Sequence, residues 1–201
     1  MNELEAMARK YEAFETDPWA AEAILSKEIL TSEVIDPCCG RGVLTNAARR
    51  WGYDVLAYDL APCWGFGLCG IDFLASKTPL DGVTLFMNPP FSQAVDFVRH
   101  GLDLRARKIV CFQRLSWYEG SKIRGKKRGQ FWEDTPPNRI YICGDRATCW
   151  RMDLSPEDIR GRGNTPTAHA WFIWEQGQPP GTLTGHIYKE DAISRRGGDE
   201  Q

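Results

Sequence analysis

The stretch Val34-Ile35-Asp36-Pro37-Cys38-Cys39-Gly40-Arg41-Gly42 decides how this chain folds. It joins a short apolar run to a helical stretch from Val43 to about Trp51, which Gly52 closes as a C-cap. Two glycines one residue apart let the backbone turn tightly and approach a ligand closely. Thr45 stands where a third glycine would complete G-x-G-x-x-G, and no Gly-Lys-Ser/Thr follows, so neither a dinucleotide fingerprint nor a P-loop is present. The pattern predicts a strand, a glycine turn and a helix, with a ligand at the turn.

Further strands and helices alternate along the chain on either side of this turn. Helical spacing predicts a helix over residues 17–31, with Asp17 as N-cap and Pro18 at the first helical position, and another over 93–104. Apolar runs predict strands at residues 54–58, 83–87, 109–112, 139–143 and 170–174. Continuously apolar strands that alternate with helices indicate a parallel sheet covered on both faces. We therefore expect one doubly wound α/β domain over residues 1–201.

Polar side chains close three of the predicted strands. Asp36, Asp59 and Asn88 each follow an apolar run, and ligands of open α/β sheets bind at the carboxyl ends of the strands. A carboxylate at Asp59 is well placed to accept hydrogen bonds from a ribose diol. In Asp72-Phe73, a carboxylate beside an aromatic ring can hold an adenine by its amino group and its ring face. Together these positions indicate a ligand that contains a nucleoside.

The tetrapeptide Asn88-Pro89-Pro90-Phe91 carries the most specific chemistry in the sequence. The two prolines end the strand abruptly and stiffen the backbone, because each fixes its own φ and restricts the residue before it. Two acceptors are then held together, the Asn88 side-chain oxygen and the Pro89 carbonyl, with the flat face of Phe91 nearby. The lone pair of an aromatic amine is delocalised into the ring, so two acceptors that grip its hydrogens favour a tetrahedral, nucleophilic nitrogen. The tetrapeptide therefore predicts a site that activates an exocyclic amine.

With these motifs in this order, the chain resembles the class I methyltransferases that make N6-methyladenine in DNA. Its short form is similar to the solitary enzymes of phages, mobile elements and restriction–modification systems. The resemblance covers residues 11–112 well and the rest in outline. It implies a mostly parallel, seven-stranded Rossmann-like sheet, S-adenosylmethionine as cofactor, and adenine in DNA as acceptor. Asn88, Pro89, Pro90 and Phe91 would be the catalytic tetrapeptide.

The resemblance also assigns residues that bind the cofactor. Residues 11–19 resemble the N-terminal motif that covers the methionine end of the cofactor, although Thr16-Asp17-Pro18 is one residue longer than the usual Thr-Pro. Asp36 to Gly42 matches the glycine-rich motif, Asp59 the ribose-binding acid, and Asp72-Phe73 the adenine-binding pair. The expected cofactor contacts are Phe14, Thr16, Asp17, Pro18, Trp19, Asp36, Pro37, Cys38, Gly40, Gly42, Asp59, Asp72, Phe73 and Asn88.

Contact with DNA is expected from a basic segment at residues 114–137 and from a second loop at 145–168. The whole chain has a net charge of −2, so phosphates must be met by a local patch rather than by the molecule as a whole. We expect a mobile loop that neutralises phosphates and wedges into the duplex. Its candidate nucleic-acid contacts are Trp117, Lys122, Arg124, Lys126, Lys127 and Arg128. Residues 190–201 are expected to be a flexible tail.

Seven cysteines and three scattered histidines show neither a disulfide framework nor a metal-ligand spacing. We expect free thiols, no metal site, and a cytoplasmic protein of a bacterium or a phage-infected cell, because no leader or apolar span of ~20 residues stands out.

Two alternatives stay open. The same fold methylates amino groups in RNA or the side-chain amide of protein glutamine. A silent methyltransferase-like fold would bind nucleic acid or a partner without catalysis.

Overall fold

Strands and helices alternate through most of the chain in this computed structural model, which describes residues 3–61, 64–119, 128–154, 167–179 and 181–192, without the side chains of 128–130. The helices are α1 Glu3–Lys10, α2 Pro18–Lys27, α3 Val43–Arg50, α4 Ala94–Asp103 and α5 Arg128–Asp134. The strands are β1 Phe14–Thr16, β2 Glu33–Asp36, β3 Asp54–Asp59, β4 Leu68–Cys69, β5 Thr84–Met87, β6 Lys108–Arg114, β7 Arg139–Cys143, β8 Cys149–Arg151, β9 His169–Glu175 and β10 Leu183–Ile187.

Eight of the described strands form one sheet in the order β10-β7-β9-β6-β5-β2-β3-β4. Every neighbouring pair is parallel except the two that involve β9, which runs antiparallel to both β6 and β7. The doubly wound, mostly parallel α/β fold is therefore confirmed. The sheet has eight strands rather than the expected seven. Its outermost strands are β10 on one side and the two-residue β4 on the other.

The sheet is covered on both faces, as its apolar strands require. Successive residues of a strand point to opposite faces, so Phe86, Val110 and Ile173 pack in the cluster that also contains α2 and α3. Their neighbours along the strands, Leu85, Ile109 and Phe172, point to the other face and pack in the cluster that contains residues of α4. Burial on both faces explains why β5 and β6 read as continuous apolar runs rather than as alternating ones.

The predicted helices and strands differ from the observed ones mainly at their ends. Helix α2 ends at Lys27 rather than at residue 31, because Glu28 leaves the helix with an extended backbone and its carboxylate is drawn into an ion pair. Asp17 is the N-cap residue, but its side chain makes no capping bond. Residues 115–119 and 128–134 form a 3-10 turn and α5 within the segment expected to be a loop.

Four charged side chains form a buried network at the end of the sheet away from the strand tips discussed above. Glu28 is paired with both Lys108, at 2.6 Å, and Arg139, at 2.5 Å, and Glu175 is paired with Arg139 as well. Glu28 and Lys108 are almost completely buried. Burial raises the pKa of Glu28, but the hydrogen bonds from Arg139 and Lys108 outweigh burial and leave the pKa lowered. The network fixes the start of β6 and β7 against the end of α2.

The expectation of free thiols is confirmed for five cysteines and wrong for Cys69, which is disulfide-bonded. The free ones are Cys38, Cys39, Cys111, Cys143 and Cys149. Burial raises the pKa of Cys39 and of Cys149 to about 12, so these thiols stay protonated at neutral pH. Within the described ranges, no helix is long and apolar enough to cross a membrane.

Candidate functional site

A cleft runs along the carboxyl ends of β2, β3 and β5. It consists of two adjoining cavities that share Tyr11, Glu12, Cys38, Asp59 and Pro90. The first also contains Asp36, Gly40, Arg41, Asn88 and the N-terminal residues up to Thr16, and the second continues past Pro37 to Asp72 and Phe73. The structure therefore brings together, in one cleft, most of the residues that the sequence predicted as a cofactor site.

The glycine turn after β2 adopts a backbone that other residues rarely take. Gly40 and Gly42 have φ values of +52° and +84°. A Cβ atom on Gly42 would lie 2.5 Å from the ring of Phe66, so this position excludes any side chain on two grounds. The Gly40 N–H donates to Asp59 Oδ2 at 2.9 Å, which ties the turn to the end of β3.

Asp36 lies at the floor of the cleft with only 1% of its surface exposed. Its Oδ2 accepts a hydrogen bond from the Thr45 hydroxyl at 2.8 Å, whereas Oδ1 has no hydrogen-bond partner in the described part of the chain. Burial raises the pKa of Asp36 to about 7 against the opposing effect of the Thr45 hydrogen bond. A buried oxygen without a donor is rare, and Asp36 is among the residues that line the first cavity, so a cationic or N–H-bearing ligand group near it would be electrostatically favoured.

Asp59 occupies the shared wall of both cavities. Its Oδ1 accepts from the Ala61 N–H at 2.8 Å, and burial raises its pKa above the ordinary value. Two carboxylate oxygens offer about four lone-pair sites, so acceptor capacity is left for a ligand after the bonds from Gly40 and Ala61. Farther along the cleft, Asp72 caps the 3-10 turn that follows it by accepting from the Leu74 N–H, and the buried Phe73 ring packs 5.3 Å from Phe97.

The near wall of the cleft is a small two-stranded sheet made from distant parts of the chain. β1 pairs antiparallel with β8, and the Met152 N–H donates to the Ala13 carbonyl at 3.0 Å. Arg41 of the glycine turn donates to the Met152 carbonyl at 2.6 Å, which fastens this wall to the floor. Met152, in the 145–168 segment that is expected to contact the target, therefore lines the first cavity.

Sequence reasoning missed Trp64 and Met152 of this cleft wall, because both lie in irregular segments that come to the cleft from distant parts of the chain. Tyr11, Glu12, Glu15 and Arg41 also line it; they lie within the two predicted cofactor motifs but were not singled out. Three residues expected to bind the cofactor do not line the described cavities: Asp17 accepts from the Thr148 hydroxyl at 2.9 Å, while Pro18 and Trp19 begin α2. Gly42 is likewise absent from the lining and shapes the turn behind it.

Asn88 projects from the end of β5 into the first cavity with its amide orientation fixed. Nδ2 donates to the Thr16 hydroxyl at 2.9 Å and to the Phe14 carbonyl at 3.2 Å, which uses both of its hydrogens. Oδ1 is the atom left to accept a hydrogen bond. Thr16, expected as a direct cofactor contact, thus has the additional task of orienting Asn88.

The Pro89 carbonyl, the second expected acceptor, already accepts a hydrogen bond from Gln113 Nε2 at 2.9 Å. Gln113 is 1% exposed, so this bond is shielded from water and holds the carbonyl in one direction. A carbonyl has two lone pairs, and one remains for a second donor. The expected pair of acceptors is therefore present, with one of them positioned by a side chain that the sequence did not single out.

A further cavity of about 410 Å³ lies on the other side of the tetrapeptide. Its walls include Glu12 and Phe14, which also line the first cavity, so the two cavities meet at the N-terminal segment. The Phe91 ring lines it, with the Phe14 ring at 5.1 Å and the Arg114 guanidinium carbon 4.1 Å from its centroid.

Of the residues expected to contact nucleic acid, the structure describes only Trp117 in full. Trp117, expected on a mobile loop, is instead 5% exposed and packs against Trp132 and Phe172, with ring centroids 4.7 and 5.1 Å away. It borders the 410 Å³ cavity but belongs to the core, because an indole of this size stabilises the sheet face by burial. Lys122, Arg124, Lys126 and Lys127 lie outside the described residues, and Arg128 begins α5 with its side chain undescribed.

No protein-family model matches this chain, and no curated protein sequence matches it. Among solved structures, it is similar to a SAM-dependent O-methyltransferase from Thermotoga maritima, with 12% sequence identity and a TM-score of 0.45. The similarity covers 81% of this chain and 66% of that one, so the chain spans less than two thirds of that protein's length. So distant a similarity carries no argument about activity, and the functional assignment depends on the geometry of the site.

Proposed function

We propose that this protein transfers a methyl group from S-adenosylmethionine to the N6 amino group of adenine in DNA. The observation that carries the proposal is the fixed amide of Asn88. Its Nδ2 is engaged by Thr16 and Phe14, which leaves Oδ1 to accept a hydrogen bond; Asn88 lines the first cavity, and Phe91 of the same tetrapeptide lines the neighbouring one.

The residues of the cleft fit the cofactor on their own chemistry. The unpartnered Asp36 Oδ1 would accept from the α-ammonium group of the methionine part, and Asp59 would accept from the ribose hydroxyls. Asp72 and Phe73 line the far end, where an adenine would lie. The turn at Gly40 and Gly42 leaves room for close approach of the backbone.

When bound, the cofactor supplies a methyl group on a sulfonium, which is already an excellent leaving group. The protein's own residues bind and orient the acceptor. Asn88 Oδ1 and the free lone pair of the Pro89 carbonyl would accept the two hydrogens of the amine and leave its nitrogen lone pair free to take the methyl group. One of the two amine protons is then released to water. This positioning needs no nucleophilic thiol, which agrees with the raised pKa of Cys38 through burial.

The acceptor is assigned from the shape of the second cavity. The Phe91 ring lines this cavity beside a planar guanidinium, and the face of the ring favours a flat aromatic acceptor over an aliphatic one. An adenine within a duplex would have to leave the stack to enter, at a cost of a few kcal/mol. The basic residues between 120 and 128 would neutralise phosphates around the flipped nucleotide.

The assignment is tested by supplying isotopically labelled S-adenosylmethionine with unmethylated DNA, RNA and protein pools, then digesting each pool and identifying the labelled product. The proposal expects label in DNA, in N6-methyladenine. Label confined to RNA nucleosides or to glutamine would refute the acceptor while keeping the reaction. No detectable cofactor binding would refute both and favour a silent fold.

Contact with DNA is tested separately through Lys126, Lys127 and Arg128. Replacing all three by alanine should weaken binding to every DNA sequence and reduce the salt slope of binding by about three, one per phosphate contact. Binding with an unchanged salt slope would remove the segment from the interface.

A further inference from the structure

The face of Phe91 that the proposed function assigns to the acceptor is covered by the side chain of Arg114. Arg114 is the last residue of β6, where it pairs with His169 of β9. Its guanidinium carbon lies 4.1 Å from the Phe91 ring centroid, which is a stacking contact. Both side chains line the 410 Å³ cavity. A planar cation thus occupies the position that a planar base would need.

The stacking contact between Arg114 and Phe91 can open by movement of the arginine side chain. The Arg114 side chain is exposed, and among the described residues none of the hydrogen bonds or ion pairs involves it. The Phe91 ring packs against the Phe14 ring, with centroids 5.1 Å apart, and follows the stiff proline backbone. Displacement would therefore move the arginine and leave the ring in place.

We propose that Arg114 is a specificity-determining residue for the acceptor, forming the second plane of a sandwich around the target base. In the free protein its guanidinium closes directly on Phe91. When a base enters, the guanidinium withdraws by about one ring thickness, ~3.5 Å, and stacks on the outer face of the base. The acceptor class that fits is a nucleobase, because an aliphatic amine or a small side-chain amide cannot fill both contacts. The inference rests on the proposed function.

Two other roles for Arg114, a phosphate contact and a structural contact, predict different effects of its substitution. A phosphate contact depends on charge, so lysine would replace arginine with little loss. A purely structural contact would stabilise the fold without affecting the acceptor in particular. The sandwich depends on a flat surface, so a planar ring would replace arginine better than lysine does.

The test compares three substitutions, Arg114→Ala, Arg114→Lys and Arg114→Phe, by steady-state methyl transfer to DNA and by S-adenosylmethionine affinity. We expect alanine and lysine to raise KM for DNA about tenfold, the effect of one lost stacking contact, and phenylalanine to stay within about threefold of the wild type. Cofactor Kd and the salt slope of DNA binding should stay unchanged. Arg99→Ala is a matched control, because Arg99 is an exposed arginine that lies 5.2 Å from the Phe131 ring and does not line the described cavities.

The possible results separate the claims. Wild-type activity in Arg114→Lys, together with a salt slope reduced by about one in Arg114→Ala, would make Arg114 a phosphate contact and overturn the sandwich. Equal losses of cofactor affinity and of melting temperature in all three variants would make it structural and overturn the sandwich too. A wild-type protein that labels only protein glutamine overturns the proposed acceptor and the sandwich together. Normal DNA methylation in Arg114→Ala overturns the sandwich alone.

Discussion

Replacing Thr16 by valine tests whether the orientation of Asn88 matters for catalysis. The Thr16 hydroxyl accepts one of the two Asn88 Nδ2 hydrogens at 2.9 Å, and Thr16 is 3% exposed, so the bond is largely shielded from bulk water. Valine keeps the shape of threonine and removes only the acceptor. Asn88 then keeps the Phe14 carbonyl at 3.2 Å as the partner of one hydrogen, while the other retains only a weak sulfur acceptor, Cys149 Sγ at 3.8 Å.

The size of the effect follows from that weakly satisfied donor. Leaving a buried donor without a partner costs about 1–3 kcal/mol, which is the amount by which the productive amide orientation loses its advantage over others. Since about 1.4 kcal/mol corresponds to a factor of ten in rate, kcat should fall by roughly 5- to 150-fold. A rotated amide would present Nδ2 to the acceptor amine, and two donors cannot pair.

The assay is single-turnover methyl transfer to DNA at saturating cofactor, which isolates the chemical step from product release. Thr16→Ser is the control, because it retains the hydroxyl and should stay near wild-type kcat. S-adenosylmethionine affinity should change little in either variant. Wild-type kcat in Thr16→Val would refute the claim that this hydrogen bond positions the catalytic amide, and equal losses in both variants would assign Thr16 a packing role only.

Three further predictions concern the cleft and the core. Asp36→Asn should weaken S-adenosylmethionine binding at pH 8, measured by calorimetry; unaltered affinity would contradict the role of Oδ1. Since burial raises the folded-state pKa of Asp36 from 3.8 to about 7, the unfolding free energy of the wild type relative to that variant should decline as pH rises between these values and level off above them; a pH-independent difference would contradict the assigned burial. Gly42→Ala should lower the melting temperature and cofactor affinity, because φ is +84° and the Phe66 ring lies 2.5 Å from the new Cβ; a neutral result would show that the turn relaxes freely. Glu28→Gln should destabilise the protein by about 1–3 kcal/mol in urea unfolding, since it leaves Glu175 as the one carboxylate of this network beside the two cations Lys108 and Arg139. Asp81→Asn in the exposed Asp81–Arg105 pair should stay near wild type.

The parts of the site that lie on consecutive residues could be predicted from the sequence. β2, the glycine turn and α3 follow each other directly, so the spacing of their apolar residues and the two glycines are enough to predict all three. Asp36, Asp59 and Asn88 meet in one cleft because parallel strands end at the same edge of the sheet.

The contacts that complete the site join residues far apart in sequence and leave no local signal. β1 and β8 are three residues each, and they pair across more than 130 positions. The bond from Gln113 to Pro89 and the stacking of Arg114 on Phe91 depend on the register between β5 and β6. Trp117 was expected in a DNA-contacting loop because its neighbours are basic, yet burial of its ring against Phe172 determines its position.

The central claim is that Asn88 directs methyl transfer from S-adenosylmethionine to adenine N6. The most direct test is mass spectrometry of nucleosides from unmethylated DNA after incubation with the cofactor and either the wild-type protein or Asn88→Ala. The wild type should yield N6-methyladenine, and Asn88→Ala should yield none while binding the cofactor with an affinity near that of the wild type. N6-methyladenine formed at similar rates by both proteins, or a methylated product other than N6-methyladenine from the wild type, would contradict the claim.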